Sequence, residues 1–355
     1  MKKLYKILTI IMSFVPLLFA AFYFSTYHPR EIQNEKFISN DDLPVLQKGK
    51  EYKVLSWNVQ YMAGKNYVFF YDEWDGSGPD VRPSSADIAA TLKRVAEIIT
   101  DENPDIILLQ EMDYKSKRTD YQDQMSELLK LLPAEYSAHT DTFYWKAAFV
   151  PHPKIMGKVG MKLAVISKYK ITSAVRYQLP LMPNNYVVRN LQFKRAILEA
   201  VFPVENSSPV SFMSTHLDAF AQGSDTMQRQ VQYVSDLLSK KNSENADWII
   251  AGDFNLLPPG NSYDFLPEKE KPYFQKDSEI KVLYDRFSIL PSLKDLEKNR
   301  EKYFTHFANY NSGPDRTIDY MIHSDKIKVK NFHIRSEDTK DISDHFPVIM
   351  TLEIK

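Results

Sequence analysis

From Trp248 to Pro258 the chain has the sequence W-I-I-A-G-D-F-N-L-L-P. Its first four residues are typical of a short buried strand, which the glycine ends. Asp253 and Asn255 follow one residue apart, and residues i and i+2 of an extended backbone point the same way. A carboxylate and an amide would then leave the strand end side by side, where they could hold a phosphate, a water or a hard cation. Taken alone, such a stretch is more often an ordinary turn, so this interpretation depends on similar strand ends elsewhere in the chain.

The composition is that of a globular protein and excludes several kinds of chemistry. The 355 residues are 43% hydrophobic and 26% charged, which suits one large domain or two small ones. A formal net charge of -1 provides no overall basic field to gather nucleic acid. Because the chain has no cysteine, we exclude disulfides, thiolate nucleophiles, cysteine-bound zinc and a lipoprotein attachment cysteine.

The N-terminal segment, residues 1–28, is predicted to be a membrane anchor. Lys2, Lys3 and Lys6 precede an apolar run from Ile7 to Tyr27. As a helix this run would be about 30 Å long, enough to cross a bilayer. The alternative is a cleaved signal peptide, although the run contains no typical cleavage site. With the lysines in the cytoplasm, the remainder would be anchored on the periplasmic or extracellular side of the membrane, or secreted if the segment is cleaved.

Beyond the anchor we expect a polar tether over residues 29–50 and one catalytic domain over residues 51–355. Strand patterns are predicted at 53–59, 105–110, 163–167, 195–202, 210–214, 248–251, 317–322 and 348–354. Helical patterns are predicted from Ser84, over 121–132 and around 227–238, and aromatic loops over 61–74 and 143–160. Because a hairpin interrupts the alternation of strands and helices, the domain is predicted to be α/β (α+β) with mixed sheets.

Polar side chains recur where these strands end. They are Asn58, Glu111, His216, Asp253, Asn255, and Asp344 with His345, while Asp319 lies within another strand. Rigid strands that deliver carboxylates, amides and imidazoles to one rim build many active sites. The set offers acids for a hard cation and histidines for proton transfer, but no serine or cysteine nucleophile. It therefore suits metal-assisted attack of water on a phosphorus ester.

Six short stretches, taken in order, resemble the endonuclease/exonuclease/phosphatase superfamily, which includes DNase I-like nucleases, neutral sphingomyelinases and inositol polyphosphate 5-phosphatases. They are V-L-S-W-N-V at 54–59, I-I-L-L-Q-E at 106–111, S-T-H-L at 214–217, A-G-D-F-N at 251–255, T-I-D-Y at 317–320 and S-D-H-F-P-V at 343–348. Their order makes the resemblance specific. It implies two mixed β-sheets packed as a sandwich with flanking helices, the DNase I-like four-layer fold, preceded here by one N-terminal transmembrane helix.

The resemblance also implies a metal site. Glu111 would be the main Mg²⁺ ligand, with Asn58 beside it, and Mn²⁺ could take the same place. Asp344 would help to bind the metal or set the geometry. Each of these residues alone is more often structural, and only their combination indicates a site.

The remaining residues take catalytic roles in this resemblance. Asp253 and Asn255 would position the attacking water and the phosphate. His345 would take the proton of the water or stabilise the transition state, with Asp319 orienting its ring. His216 would contact the phosphoryl oxygens or the leaving group. Other polar residues close in sequence are assigned to structure, namely His152, Arg195, Asp218 and His306.

Three functions are compatible with these residues. The first is a Mg²⁺-dependent phosphoester hydrolase at the membrane surface that acts on a lipid-headgroup phosphodiester or, less specifically, a monoester. The second is an exported metal-dependent nuclease, and near-neutral charge argues against it. The third is a non-catalytic binding module on the same scaffold, which would not need a paired histidine and aspartate. The anchor and the two aromatic loops, with Trp74 and Trp145, favour a lipid over nucleic acid, and no protein partner can be inferred.

Overall fold

The computed structural model describes residues 2–69, 78, 81–219, 221, 223–308 and 312–355, and only the backbone of 2–4 and 6–14. Its helices are α1 (Lys2–Ser25), α2 (Ser85–Glu102), α3 (Gln124–Leu131), α4 (Tyr186–Leu191), α5 (Thr226–Ser243), α6 (Lys281–Tyr284) and α7 (Leu293–Asn299). Its strands are β1 (Ile32–Asn34), β2 (Phe37–Ile38), β3 (Glu51–Asn58), β4 (Ile106–Asp113), β5 (Ala138–Val150), β6 (Gly157–Ser167), β7 (Ser173–Gln178), β8 (Ala196–Val204), β9 (Ser207–His216), β10 (Asp247–Asp253), β11 (Ser288–Leu290), β12 (Asp319–His323), β13 (Ile327–Ile334) and β14 (Val348–Ile354). Trp74 and the rest of 70–77 lie outside the described residues.

The described strands form two mixed, seven-stranded sheets. The first has the order β1-β7-β8-β9-β10-β12-β11, and the second has the order β13-β14-β3-β4-β6-β5-β2. Two neighbouring pairs run parallel, β9 with β10 and β3 with β4. In each parallel pair both strands end at the same edge of the sheet, so residues at the strand ends lie side by side.

Both faces of each sheet are covered. Side chains from the two sheets, such as Val54 and Ile106 from one and Phe212 and Ile249 from the other, form a shared core between them. Helices α2 and α3 pack on the outer face of the second sheet, and α5 and α6 pack on the outer face of the first. The predicted sandwich of two mixed sheets with flanking helices is therefore confirmed.

Helix α2 begins and ends where its sequence predicts. The Ser84 hydroxyl accepts from the backbone N–H of Asp87 at 3.2 Å, and the Asp87 carboxylate accepts from the backbone N–H of Ser84 at 3.3 Å. This capping box satisfies N–H groups that have no partner inside the helix. Asn103 ends the helix in a left-handed conformation, with φ +50°, directly before Pro104.

The aromatic stretch 143–160 is not the loop predicted from the sequence. Most of it belongs to the antiparallel pair β5 and β6, and the side chains of β5 largely alternate between buried and more exposed, as expected for a strand. Trp145 is only 2% exposed, and its Nε1 donates to the backbone oxygen of Leu191 at 2.8 Å. Trp145 is therefore a buried strand residue, and it does not support the preference for a lipid that the sequence analysis drew from an aromatic loop at this position.

Residues 29–50 differ from the free tether that their polarity suggested. β1 pairs with β7 at the edge of the first sheet, and β2 pairs with β5 at the edge of the second. Leu46 is fully buried in the core between the sheets. Both strands are short and lie largely exposed at a sheet edge, so the composition of this stretch does not reveal them.

The N-terminal segment forms the helix α1, which contains Pro16. Among the residues that the structure describes, no helix is both long enough and apolar enough to cross a membrane. The predicted transmembrane span is therefore not supported. At its C-terminal end α1 contacts the domain, where the Phe22 and Tyr186 rings lie 6.2 Å apart and Thr26 forms a β-bridge with Ala147.

Candidate active site

Three strands of the first sheet place one histidine and two aspartates in a row. His216 ends β9, Asp253 ends β10 and Asp319 begins β12, and the three are direct partners in the strand register. Gly252 allows β10 to approach β9 closely at this point. Its φ is +148°, and an added Cβ would collide with the backbone oxygen of Thr215.

The second sheet contributes an amide and a carboxylate from its parallel pair. Asn58 is the last residue of β3 and lies opposite Gln110 of β4. Glu111 follows at a register irregularity with φ +61°, and a bulge of this kind re-aims a side chain. Positive φ is costly for a residue with a Cβ and is concentrated at functional sites. The strand that was predicted to stop at Gln110 continues through this irregularity to Asp113.

The Asn58 side chain joins the two sheets. Its Nδ2 donates to Glu111 Oε1 and to Asp253 Oδ2, in both cases at 3.1 Å. Its Oδ1 accepts from the backbone N–H of Gln60 at 3.1 Å, which fixes the orientation of the amide. His216 Nε2 lies 3.2 Å from the same Asp253 oxygen, and its Nδ1 lies 3.8 Å from Glu111 Oε1. The structure therefore brings four of the predicted residues together from four strands.

His345 lies between two aspartates of the first sheet. Its Nδ1 is 2.8 Å from Asp319 Oδ2, and its Nε2 is 3.5 Å from Asp253 Oδ2. The backbone is fixed separately, because Trp57 Nε1 donates to the His345 carbonyl at 2.8 Å and the Ser343 hydroxyl accepts from the His345 N–H at 3.1 Å. The ring is thus positioned both by its own contacts and by its loop.

Asp344 and Asn255 lie at the margin of this group. Asp344 is partly buried, and the hydroxyl of the preceding Ser343 donates to the backbone oxygen of Asn58 at 2.8 Å. Asn255 has φ +52°, and its backbone N–H donates to Asp253 Oδ1 at 2.9 Å. The two side chains that were expected to leave an extended strand in parallel are therefore joined by a tight turn.

The carboxyl groups near Asn58 fit a divalent cation. Burial raises the pKa of Glu111, and Asp344 raises it further, whereas Arg118 lowers it. Burial also raises the pKa of Asp344. Acids whose charged forms are disfavoured in this way are stabilised by a cation, and the carboxylate oxygens of Glu111 and Asp344 are ligands that hard cations prefer.

Two other groups of possible metal ligands lie close together among the described residues. Asp253, Asp319 and His345 form one set, and His306, Asp344 and His345 form another, with the atoms of each set within 4.8 Å of one another. The His345–Asp319 contact at 2.8 Å already satisfies one ligand atom of the first set. The second set offers two imidazoles and one carboxylate, so the carboxylates of Glu111 and Asp344 suit a hard cation better than either set.

The two histidines differ in charge. Burial lowers the pKa of His216, and Arg195 and His345 lower it further, so a neutral ring faces Asp253 at 3.2 Å. Burial also lowers the pKa of His345, but Asp319 and Asp253 raise it by more and leave it well above its usual range. Burial raises the pKa of Asp253 to about 7, although His345 opposes this shift.

Arg195 and Asp218, which the sequence analysis assigned to structure, stand in the site. Arg195 Nε lies 3.2 Å from Asp218 Oδ1, and both residues are buried. The guanidinium lies over the rings of Phe193 and Tyr144, at 4.4 and 5.1 Å from their centroids. Its Nη1 has no hydrogen-bond partner among the described atoms. Their positions in the sequence could have indicated this, because both lie next to strand ends. Arg195 directly precedes β8, and Asp218 lies two residues beyond the end of β9.

These residues line one cleft of about 570 Å³. The predicted residues on its wall are Glu111, His216, Asp253, Asn255, Asp344 and His345. Asn58 and Asp319 do not line the cleft, but they hold residues that do. His152 and His306 also line it, and the ring of His306 meets the ring of His345 edge-on, with centroids 4.8 Å apart.

Residues 55–345 match the model of the endonuclease/exonuclease/phosphatase family. The chain belongs to this family. Its members are phosphodiesterases, phosphatases and nucleases, so the chain is a hydrolase that acts on phosphoester bonds. The comparison with curated proteins found no match.

Solved structures share the fold of this family member. An endonuclease/exonuclease/phosphatase from Beutenbergia cavernae is 21% identical with a TM-score of 0.60, over 86% of this chain and 72% of that chain. The human Nocturnin catalytic domain, with bound sulfate, is 16% identical with a TM-score of 0.52, over 90% of this chain and 97% of that chain. A mannosyl-6-phosphatase from Bacteroides thetaiotaomicron is 16% identical with a TM-score of 0.51, over 85% of this chain and 99% of that chain. At these identities the likeness concerns the fold alone.

Proposed function

We propose that this protein is a Mg²⁺-dependent phosphodiesterase that directs water at a lipid-headgroup phosphodiester on a membrane surface. The observation that carries the hydrolytic part is the contact group of Glu111, Asn58, Asp253 and His345 in one cleft. Such a group contains oxygen ligands, a carboxyl near neutrality and a charged imidazole, which together suit attack of water on a phosphoester.

We assign the cation to Glu111 and Asp344, with Asn58 beside it as the residue whose amide nitrogen holds Glu111 Oε1. The carboxylate oxygens of Glu111 and Asp344 suit Mg²⁺, and Mn²⁺ accepts the same ligands. When bound, a divalent cation would neutralise negative charge on a phosphoryl oxygen. The buried Nη1 of Arg195, which has no partner among the described atoms, offers a further N–H donor to the same phosphate.

We assign the proton chemistry to Asp253 and His345. With its pKa raised to about 7 by burial, Asp253 can accept a proton from water near neutral pH, and Asn255 would help to orient that water. A protonated His345, held by Asp319, would donate to the phosphoryl oxygen where charge develops. This favours transition-state stabilisation over proton abstraction for His345, and His216 would donate to the phosphate or the leaving group.

The lipid part rests on an exposed apolar surface beside the cleft. Helix α4 begins with Tyr186 and Val187, which are 43% and 51% exposed, and its Arg189 lines the cleft. The Tyr186 ring contacts the ring of Phe22 on α1, with centroids 6.2 Å apart. Further exposed apolar residues of α1 are Leu17, Leu18, Phe19 and Phe24. We call Tyr186, Val187 and these α1 side chains the apolar rim. An apolar surface of this kind, next to a polar cleft, suits a lipid interface.

We further propose that the domain works on the non-cytoplasmic side, at the membrane through the apolar rim, or free of it if the N-terminal segment is cleaved. The support is the order of the sequence, with lysines before the apolar run as in an export signal. Protease added to intact cells, or to spheroplasts if the domain is periplasmic, should degrade the catalytic domain. Protection of the domain in both until the cells are lysed would refute this location.

A nuclease is the second candidate, and one observation favours it. A smaller cleft of about 220 Å³ shares Phe69, Arg118 and Trp145 with the main cleft. It is lined by four more basic residues, Arg82, Lys117, Lys154 and Lys158. A basic groove that leads from the active site could follow a nucleic-acid backbone. The experiment below decides between the two substrates.

The test compares substrates and rim variants with the full chain and Mg²⁺. We expect hydrolysis of phosphodiester lipids in vesicles, little action on plasmid or single-stranded DNA, and slow action on bis(p-nitrophenyl) phosphate. The double variant Tyr186→Ser with Val187→Ser should reduce the rate on vesicles by about tenfold, since two half-exposed apolar side chains would no longer enter the interface. Leu131→Ser is the matched control, because Leu131 is 48% exposed on α3. Rapid degradation of DNA with every lipid untouched would overturn the lipid assignment.

A further inference from the structure

The cleft has chemically different walls on the two sides of its catalytic row. In the first sheet β9 and β10 carry His216 and Asp253, with β8 on one side and β12 on the other. Arg195 directly precedes β8, on the side that leads to the apolar rim, whereas Arg316 lies shortly before β12. The second side includes Glu270, Tyr273, Phe274, Gln275 and Glu279 from the segment that follows β10, and all five line the cleft. We call these five residues and Arg316 the acidic wall.

Two carboxylate oxygens of the acidic wall have no hydrogen-bond partner among the described atoms. Glu270 is 1% exposed, and its Oε2 lies 2.7 Å from Arg316 Nη2, but its Oε1 is without a partner. The Oε2 of Glu279 is likewise buried and without a partner. A buried acceptor that forms no hydrogen bond costs free energy. Both oxygens are therefore suited to accept a hydrogen bond from a bound ligand.

The wall also carries more negative charge than its own cation balances. The Arg316 guanidinium is shared between Glu270, at 2.7 Å, and Asp315, with contacts of 2.6 and 2.8 Å. The wall therefore holds two carboxylates, Glu270 and Glu279, and one cation, Arg316, which Asp315 shares although Lys65 also acts on Asp315. Burial raises the pKa of Glu279, and no cation among the described side chains is a cause that opposes this shift. A neutral hydroxyl could satisfy an oxygen, but only a cation would offset the charge as well.

The acidic wall is rigidly connected to the catalytic floor. Arg316 forms a β-bridge with His306, and His306 forms another with His345. On the other side, the Ser278 hydroxyl donates to the backbone oxygen of Leu257 at 2.6 Å, two residues beyond Asn255. A group bound at the wall and a phosphate on the floor can therefore belong to one small molecule.

We propose that the acidic wall binds a primary ammonium group of the substrate, so that the protein prefers phosphodiesters of an aminoalkyl alcohol. A primary ammonium carries three N–H donors and a positive charge, which matches two unpartnered oxygens in a negative wall. A quaternary ammonium carries the charge but no N–H, so it would leave both oxygens without a donor. The side of the cleft next to the apolar rim is then left for the apolar part of the same lipid. This inference rests on the proposed phosphodiesterase activity.

The experiment uses three soluble p-nitrophenyl phosphodiesters that differ in the second alcohol. The alcohols are 2-aminoethyl, 2-(trimethylammonio)ethyl and the neutral propyl group, and release of p-nitrophenol by the full chain with Mg²⁺ is measured. We expect kcat/KM for the aminoethyl ester to exceed that of the other two by about tenfold, the effect of one hydrogen bond to a charged group. Glu279→Gln should bring the three values to within about threefold of one another.

The controls separate this inference from the proposed function. Glu268→Gln changes an 87% exposed carboxylate that pairs with Lys271 at the surface, so the preference should be unchanged. If Glu270→Gln fails to fold because Arg316 loses a partner, Glu279→Gln alone decides. Hydrolysis of none of the three esters would refute the phosphodiesterase itself. Hydrolysis without an aminoethyl preference, equal rates for the trimethylammonium ester, or a preference that survives Glu279→Gln would overturn the ammonium site only.

Discussion

Replacing Asp319 by Asn tests whether the aspartate acts through His345. The 2.8 Å contact between Asp319 Oδ2 and His345 Nδ1 is buried, and it is the closest contact of the imidazole. An amide of the same shape retains a neutral hydrogen bond but loses the charge. A charge-assisted bond contributes about 1.5–3 kcal/mol and a neutral one about 1 kcal/mol. The difference of about 0.5–2 kcal/mol corresponds to a fall in kcat of about 2- to 30-fold.

The double variant makes this expectation specific. His345→Ala should lower kcat by about 10²-fold or more, the usual scale for a group that transfers or shares a proton in the transition state. When Asp319→Asn is added to His345→Ala, we expect almost no further loss, because residues that act as a unit are not additive. Steady-state kinetics on bis(p-nitrophenyl) phosphate measure all three variants, and thermal unfolding checks that each is folded.

Two results would refute this reasoning. Equal losses from Asp319→Asn in the presence and absence of the imidazole would mean that the aspartate does not act through His345. Wild-type turnover in His345→Ala would mean that the histidine is structural. Asp325→Asn is the matched control, since Asp325 is exposed two residues after the end of β12 and should leave kcat unchanged.

Three further predictions concern the metal, the backbone and pH. Chelation should abolish hydrolysis, and added Mg²⁺ or Mn²⁺ should restore it. Glu111→Gln should need a higher metal concentration for a half-maximal rate, and full activity of this variant in chelator would exclude Glu111 as a metal ligand. Gly252→Ala should lower the free energy of unfolding by about 1–3 kcal/mol in urea titrations, because the added Cβ meets the backbone of β9. Gly260→Ala is the control and should lower it by less, because Gly260 has φ +100° but open space around it. Equal losses would show that the backbone φ alone decides the cost. The nearby His333, with Nε2 3.6 Å from Glu102 Oε1, is the largest cause that lowers the pKa of Glu102 from 4.5 to about 2. This carboxylate therefore stabilises the fold fully above about pH 4.5, and its contribution, at most about 3 kcal/mol, is lost as the pH falls towards 2. Glu102→Gln should flatten the loss of stability with acid over that range in urea titrations.

Local sequence determined most of the secondary structure and the identity of the family. The capping box at Ser84, the apolar runs of β4 and β10, and the polar residues that follow them act over a few residues, so they are visible without the fold. The six ordered stretches indicated the family because each is a short local pattern, and the match to the family model over residues 55–345 confirms it. The aromatic content of 143–160 did not determine a loop, because pairing of β5 with β6 decided its conformation.

Only the tertiary structure decided which polar residues meet. Asp253 and Asp319 are 66 residues apart in the sequence and become register partners because β10 and β12 pair, while Asn58 reaches Asp253 because the two sheets pack face to face. Arg195, which looked structural in the sequence, enters the cleft through the same packing. Burial and neighbouring charges, which no local pattern fixes, then set the protonation of each group. Burial leaves His216 neutral and brings the pKa of Asp253 to about 7, whereas Asp319 and Asp253 raise the pKa of His345 against the effect of burial. The sequence therefore determined which chemical groups are present, and long-range packing decided their distances and protonation, because both depend on neighbours that are remote along the chain.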